Sequence, residues 1–158
     1  MSDKNLLPIE QLIKKLEYYC AYQERCHQEV ENKLYAMKLD KNSKETIMLH
    51  LLENDFLNEE RFAKVFVRGK FRIKKWGNRR IEKELKTRNI SEYNIRSGLK
   101  EISESDYLKS FNELAKKRIS QIKETNVYKK RKKLADYLLY RGWESDLVYN
   151  KVMELVKK

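Results

Sequence analysis

The side chains of this 158-residue chain that are best suited to binding chemistry are its lysines and arginines. The net charge is +12, from 36 Lys and Arg against 24 Asp and Glu. Residues 64–88 hold 11 basic residues and only two acids, and residues 116–133 hold nine basic residues and one acid. Such clusters of cations predict binding to nucleic acid, to another polyanion or to an acidic protein.

Motifs of common catalytic and metal sites are missing from the sequence. With four glycines, the chain has no glycine-rich phosphate loop, and it lacks the HExxH, paired-cysteine zinc and nucleophile-elbow patterns. Its acids fall in no context typical of a paired catalytic site, and two histidines supply little acid–base capacity. We therefore expect a protein that is not an enzyme and needs no cofactor.

The two cysteines, Cys20 and Cys26, lie six residues apart, with His27 next to the second. Three candidate ligands without a second cluster are weak grounds for a metal site. We expect a reduced pair packed as small hydrophobic residues, with no metal.

No apolar run approaches the ~18 residues that a membrane span needs, and no apolar segment near the start suggests export. The sequence predicts a soluble, cytoplasmic protein, and we expect a monomer.

The elements that must position the basic residues are predicted by an apolar spacing that occurs three times. Five apolar residues follow one another at steps of 4, 5, 5 and 4 in the middle and C-terminal parts, and the N-terminal copy has three extra residues in its third gap. The three sets are Ile81, Leu85, Ile90, Ile95 and Leu99; Leu134, Leu138, Trp143, Val148 and Val152; and Val30, Leu34, Leu39, Ile47 and Leu51. A period near 50 residues indicates a repeat architecture.

The predicted fold is all-α, because the chain has one proline and many Lys, Glu and Leu residues. We expect three tandem three-helix repeats, residues 1–56, 57–102 and 103–158, the second and third of them basic. They should stack into an elongated, curved, right- or left-handed solenoid-like body.

Capping residues support this division into helices. Asn58 and Ser91 are placed to cap helices in the second unit. Asn89 and Gly142 suit the left-handed position after the second helix of their units, where the first unit has Lys38.

Helical geometry predicts where the basic side chains point. At 100° per residue a basic stripe faces away from Phe62, Phe66 and Ile73, and Phe71 falls on that outward side too. The stripe consists of Lys64, Arg68, Arg72 and Lys75. In the second helix of this unit, basic residues lie opposite Ile81 and Leu85. The predicted contact residues for DNA or a protein partner are Lys64, Arg68, Arg72, Lys75, Arg79, Arg80, Lys83, Lys129, Lys130, Lys132 and Lys133.

Comparison of the repeats favours a binding role over charges that are merely solvated. Positions 79 and 80 are basic and correspond to basic positions 132 and 133, whereas the first unit has Gln28 and Glu29 there.

Two aromatic residues among the cations, Phe71 and Trp76, allow two interpretations. They can stack on bases of single-stranded nucleic acid. The interpretation we favour is that they pack between units. Trp143, in the slot of Ile90, should be a core residue.

Four stretches of the sequence resemble the RecX family, bacterial regulators of the RecA recombinase. Residues 25–34 resemble its first-unit pattern, an Arg, an acid–apolar pair and Lys-Leu. Residues 57–67, with Leu-Asn-Glu-Glu-Arg-Phe-Ala and Phe-Val, resemble its most distinctive segment. Residues 77–85 resemble a Gly-x-x-Arg-Ile-x-x-Glu-Leu stretch, and 141–143, Arg-Gly-Trp, a recurring third-unit turn. Val30 in place of the usual Leu, and the pair Cys26–His27 in place of a small polar cap, depart from the pattern.

The resemblance implies tandem three-helix repeats and a non-catalytic regulator. Such a protein would bind the RecA–single-stranded DNA filament, with DNA contacted directly or through the filament. It would inhibit strand exchange and the coupled ATPase, and so restrain recombinational repair and the SOS response to DNA damage. Two alternatives are an autonomous, sequence-nonspecific nucleic-acid-binding helical module and a helical scaffold for an acidic protein.

Overall fold

The computed structural model of the chain describes residues 7–158 and folds them into nine α-helices, with no strand in that range. The helices are α1 Ile9–Tyr22, α2 His27–Ala36, α3 Lys41–Glu53, α4 Glu59–Gly69, α5 Asn78–Thr87, α6 Glu92–Leu99, α7 Glu104–Gln121, α8 Val127–Tyr140 and α9 Ser145–Leu155. The all-α expectation of tandem three-helix units is confirmed. Residues 1–6 of the predicted first unit lie outside the described residues. The unit boundaries stay a prediction, and they fall in the connections after α3 and α6.

The first step of five in the repeated spacing spans the end of the second helix of a unit. At the end of α5, the N–H of Ile90 donates to the Leu85 carbonyl at 3.2 Å and that of Asn89 donates to Lys86 at 3.0 Å. Asn89 has φ 59°, so the helix ends in a Schellman motif with a left-handed residue. At the end of α8 the N–H of Trp143 likewise donates to Leu138 at 3.3 Å.

The second step of five spans the start of the third helix. Ile90 directly precedes Ser91, whose side chain caps α6 by accepting from the Asn94 N–H. Ile95 is the fourth residue of α6, so Ile90 and Ile95 hold the positions of a hydrophobic staple. The repeated spacing therefore describes two helix ends as well as two helix faces.

The three extra residues of the first unit lengthen a helix. Asp40 caps α3 by accepting from the Ser43 N–H at 2.8 Å, and α3 then runs to Glu53. Ile47 is thus the seventh residue of α3 and still fully buried. Lys38, with φ 57°, takes the left-handed place of Asn89 and Gly142, although it is neither asparagine nor glycine.

A π-helical turn at Lys70–Lys74 continues α4 and changes the facing of its side chains. The i→i+5 bonding of a π turn adds about one residue to the turn, so positions after Lys70 rotate relative to an α-helix. Phe71 is 6% exposed and Ile73 is 78% exposed. The prediction that Phe71 points outward and Ile73 inward is therefore wrong, and the basic stripe from Lys64 to Lys75 is interrupted.

An aromatic cluster joins the second and third units. The Trp143 ring centre lies 4.7 Å from that of Tyr107 and 5.2 Å from that of Phe111, and Phe71 stacks on Tyr107 at 6.0 Å. The Trp143 Nε1–H donates to the Lys75 carbonyl at 3.2 Å. These contacts confirm Trp143 as a core residue and Phe71 as a packing residue between units. Because Phe71 packs here, it offers no face to a base.

The first unit has a hydrophobic core of its own, centred on α1, α2 and α3. Leu57, from the segment before α4, packs into it, whereas Cys26 packs into the core of the other two units. Polar side chains also join the first and second units. Arg61 donates to Glu24 at 2.7 Å and to Asp55 at 2.9 Å.

Both cysteines are buried free thiols, as expected for small hydrophobic residues. Burial raises the pKa of Cys20 to about 11 and also raises the pKa of Cys26. Within residues 7–158, no group of three His, Cys, Asp or Glu side chains is arranged to hold a metal ion. In the same range no helix has the length and apolar character required to cross a membrane.

Candidate nucleic-acid interface

Helix α5, which carries basic residues, begins against the turn that follows α8. The Gly77 N–H donates to the Arg141 carbonyl at 2.8 Å, and the Arg79 N–H donates to the Gly142 carbonyl at 3.0 Å. Gly142 has φ 92°, and a Cβ there would collide with the Cβ and backbone N of Arg80. This backbone contact places Arg79 and Arg80 beside the end of α8.

The amide of Asn78, which lies between Gly77 and Arg79, also has a partner within the protein. The Asn78 N–H donates to the Tyr107 hydroxyl at 2.8 Å, and that hydroxyl donates to Glu144 at 2.7 Å. Burial raises the pKa of Tyr107, and the bond to Glu144 raises it further, so the phenol keeps its proton. The amides of Gly77, Asn78 and Arg79 already have partners within the protein, so they are not available to bind an anion at this end of α5.

Three depressions that share lining residues lie across the second and third units, with volumes between about 340 and 680 Å³. Two of them share Tyr137, and Tyr140 links one of these to the third. We call this surface the basic groove. Its cations are Lys75, Arg79, Arg80, Lys83, Lys117, Arg118, Lys123, Lys133 and Arg141, and its carboxylates are Glu84, Glu113 and Asp136.

Two of the three carboxylates are already paired with cations that do not line the basic groove. Glu84 pairs with Arg88 at 3.1 Å, and Asp136 with Lys132 at 2.7 Å. Of the lining cations, Lys133 pairs with a carboxylate, that of Glu124, at 3.2 Å. The basic groove therefore keeps a large excess of positive charge, which attracts polyanions.

Aromatic rings order the guanidinium groups of the basic groove. The Arg80 guanidinium lies 4.2 Å from the Trp76 ring centre and 4.7 Å from that of Tyr140. Trp76 is half-buried and packs against the core, in agreement with a packing role, whereas Tyr140 is 71% exposed. On Tyr137, the guanidinium of Arg118 lies at 4.4 Å and that of Arg141 at 3.7 Å.

The structure brings together five of the residues predicted as contacts. Lys75, Arg79, Arg80, Lys83 and Lys133 line the basic groove although they come from two units.

The other predicted contacts lie outside that lining. Lys64 and Arg68 pair with Glu60 at 3.9 Å and with Glu101 at 2.6 Å. Arg72 is exposed on the π turn, and the remaining three, Lys129, Lys130 and Lys132, lie earlier on α8. Their role stays a prediction.

Sequence reasoning missed four cations of the basic groove: Lys117, Arg118, Lys123 and Arg141. Arg118 is 19 positions before Tyr137 in the sequence, and only the packing of α7 on α8 brings them together. A signal did exist for Arg141, which lies four residues after Tyr137 on the same helical face.

Two family models match the chain. The one described as RecX, second three-helix domain, matches residues 58–99, and the one described as RecX, third three-helix domain, matches residues 104–152. Together they cover more than half of the chain and the units that form the basic groove.

Curated proteins named "Regulatory protein RecX" are similar to this chain. The "Regulatory protein RecX" of Clostridium acetobutylicum is 27% identical over 138 residues, which are 85% of this chain and 62% of that protein. That of Bacillus cytotoxicus is 25% identical over 130 residues, 82% of this chain and 48% of that protein. That of Lactobacillus gasseri is 27% identical over 90 residues, 57% of this chain and 33% of that protein. The chain thus spans between a third and about three-fifths of the length of these relatives.

Solved structures confirm the fold. The crystal structure of RecX from Lactobacillus salivarius superposes with a TM-score of 0.79 at 21% identity, covering 94% of this chain and 96% of that one. A second crystal structure, of a regulatory protein RecX, gives 0.78 at 19% identity, with 94% and 72% coverage.

Proposed function

The chain belongs to the RecX family, and from that premise we propose that it regulates the RecA recombinase. It binds the RecA–single-stranded DNA filament and inhibits strand exchange and the coupled ATPase. Its action is binding and needs no catalytic group. The partners are the filament protein and the DNA that it carries, contacted directly or through the filament.

The observation that supports this proposal is the charge of the basic groove. Nine cations line it against three carboxylates, two of which are already paired. DNA phosphates or acidic patches of the filament are the surfaces that such a groove attracts. A bound chain would then compete with incoming duplex DNA for the same filament.

The first unit has a different job in this proposal. Gln28, which aligns with Arg79, accepts a hydrogen bond of 3.1 Å from Asn89. The start of α2 therefore packs on the turn after α5, as the start of α5 packs on the turn after α8. In the first unit this position joins two units and carries no cation, so we assign it a structural role.

The test is a titration of the chain into a RecA ATPase assay stimulated by single-stranded DNA. The informative variant is Arg79→Glu with Lys83→Glu, because both side chains are exposed in the basic groove and neither fills the core. Arg80 is left in place, since it packs against Gly142. We expect this variant to lose inhibition while its helicity and melting temperature stay unchanged.

The matched control is Arg96→Glu with Lys100→Glu, which makes the same charge change in a separate depression beside α6. It should inhibit like the unaltered chain. Full inhibition by the variant of the basic groove would contradict the proposal. A measurement of binding to DNA alone distinguishes this proposal from an autonomous nucleic-acid-binding module. Inhibition far below the dissociation constant for DNA supports a filament regulator, and inhibition only when DNA is saturated supports an autonomous nucleic-acid-binding module.

A further inference from the structure

Two arginines of the basic groove, Arg118 and Arg141, share the ring of Tyr137. We propose that these three residues form a binding site for the phosphodiester groups of single-stranded nucleic acid. This inference rests on the proposed function, since it identifies what part of the basic groove contacts. It assigns DNA contact to residues that the sequence did not single out.

All three residues of the site lie in the third unit, and the second unit contacts Arg141 through Gly77. Arg118 comes from α7 and Tyr137 from α8, and Arg141 directly follows α8. Arg141 is fixed by its backbone, because its carbonyl accepts the Gly77 N–H, and its side chain donates to the Tyr137 carbonyl at 3.3 Å. The two guanidinium groups are therefore positioned before any ligand arrives.

Both guanidinium groups lack an acidic partner within the described residues. Arginines that pair with carboxylates there are Arg25, Arg61, Arg68, Arg88 and Arg96. Two acids, Glu113 and Asp136, line the depressions that contain Arg118 and Arg141, and Asp136 pairs with Lys132. In addition, Arg118 Nε is buried without a hydrogen-bond partner. Because this atom is buried, a ligand in the basic groove would contact the terminal N–H groups of Arg118.

Aromatic surroundings favour nucleic acid over an acidic peptide as the ligand. The N–H groups of Arg118 and Arg141 that are neither buried nor bonded within the protein can donate to the oxygens of a phosphate. Lys117, Lys123 and Lys133 flank the two arginines, and they can contact the further phosphates of a nucleic acid, which carries one negative charge at each nucleotide. Tyr140, in the same depression and 71% exposed, offers a ring on which a base can stack.

The experiment measures binding of a fluorescent oligo(dT) of about 12 nucleotides to the full chain, without recombinase, by anisotropy at several salt concentrations. The variant is Arg118→Gln with Arg141→Gln. We expect its affinity to fall about tenfold or more, and the slope of log K against log salt to flatten by about 1.4, which is about 0.7 for each lost phosphate contact. Unchanged affinity and slope would overturn the assignment.

Two further variants keep the result interpretable. Arg96→Gln with Lys100→Gln removes the same charge from the separate depression and should leave the salt slope unchanged. An equal loss in this control would show long-range charge alone and would overturn the site. Arg118→Lys with Arg141→Lys keeps the charge if the glutamine pair folds poorly. It should keep the slope but bind more weakly, because lysine lacks the planar group, and wild-type affinity would refute the role of stacking.

Poly-glutamate is the competitor that separates phosphates from carboxylates. We expect it to displace the oligonucleotide only weakly and with equal effect on the chain and the glutamine pair. If the glutamine substitutions weaken the binding of the oligonucleotide and of poly-glutamate equally, the site is a general anion surface, which contradicts the proposal. The ATPase assay stays an independent readout. A chain that inhibits RecA but binds no oligonucleotide refutes this inference alone, and one that binds through Arg118 and Arg141 without inhibiting refutes the proposed function alone.

Discussion

A Cβ atom on Gly77 would lie 2.5 Å from the carbonyl oxygen of Gly142, so these two glycines bring the second and third units into backbone contact. The atoms in the way are backbone atoms, which cannot swing aside like the end of a side chain. The start of α5 and its basic side chains owe their position to this contact.

Substitution of Gly77 by alanine should therefore destabilise the protein by about 1–3 kcal/mol, as expected for an overpacked site. Urea unfolding measures the change. Gly69→Ala is the matched control, because Gly69 lies in α4 with no atom within 4 Å of an added Cβ. That control should be more stable by about 0.5–1 kcal/mol, since alanine favours a helix. Equal stability of the two variants would contradict the close contact.

The π turn makes a prediction that separates it from an uninterrupted α-helix. Phe71→Ala should cost about 3–5 kcal/mol, because Phe71 fills the aromatic cluster with Tyr107 and Trp143. Ile73→Ala should change stability by less than about 0.5 kcal/mol, because Ile73 is exposed. Thermal unfolding of the two variants compares them directly, and the opposite order is what an uninterrupted helix requires.

Sequence spacing was sufficient to predict the ends of α5 and α8. The pairs Leu85–Ile90 and Leu138–Trp143 correspond to local hydrogen bonds that close within six residues. Such contacts depend on nearby residue types, which a sequence displays.

Long-range contacts explain what the sequence did not predict. Nothing in residues 70–74 distinguishes a π turn from an α-helix, and the turn places Phe71 against partners more than 30 residues away. In the same way, only the packing of α7 on α8 brings Arg118 to Tyr137. Five of the predicted contacts line the basic groove because they come from α5 and from segments packed beside it.

Arg61 should act as the main polar link between the first and second units. It contacts Glu24 and Asp55, and Glu24 Oε1 is buried without another hydrogen-bond partner. Arg61→Met should destabilise the first unit by about 1–3 kcal/mol, because it leaves that carboxylate with less compensation. Hydrogen exchange read by mass spectrometry should show faster exchange in α1–α3 and little change in α7–α9. Uniform acceleration across all helices would contradict this view.

The cysteines should report the opening of the two cores, Cys20 that of the first unit and Cys26 that of the other two units. With the pKa of Cys20 near 11, roughly one thiol in a thousand is ionised at pH 8, and the thiolate is the reactive form. We expect neither Cys20 nor Cys26 to react with a thiol reagent in the native state within the time that the urea-unfolded chain needs for complete reaction. Rapid labelling of the native protein would show that these side chains are accessible.

Acid should weaken the junction near Asp55. The Asn58 side chain, first, and then Arg61 hold the pKa of Asp55 below its ordinary value of 3.8. The folded state therefore gains stability from the ionised carboxylate at neutral pH, and loses it as the pH falls through the lowered pKa. Asp55→Asn should unfold at lower urea concentrations than the unaltered chain at pH 7, and the difference should shrink below pH 3.8. If the difference in stability stays constant with pH, it arises from packing and not from the charge of Asp55.

The separate core of the first unit has a consequence for synthesis of the chain on the ribosome. That core is complete once Leu57 has emerged, because the residue closes the cluster of α1, α2 and α3. The shared core of the other two units includes Val156, so it cannot close until almost a hundred further residues have been translated. The first unit can therefore fold while the rest is still being made, whereas the basic groove forms late.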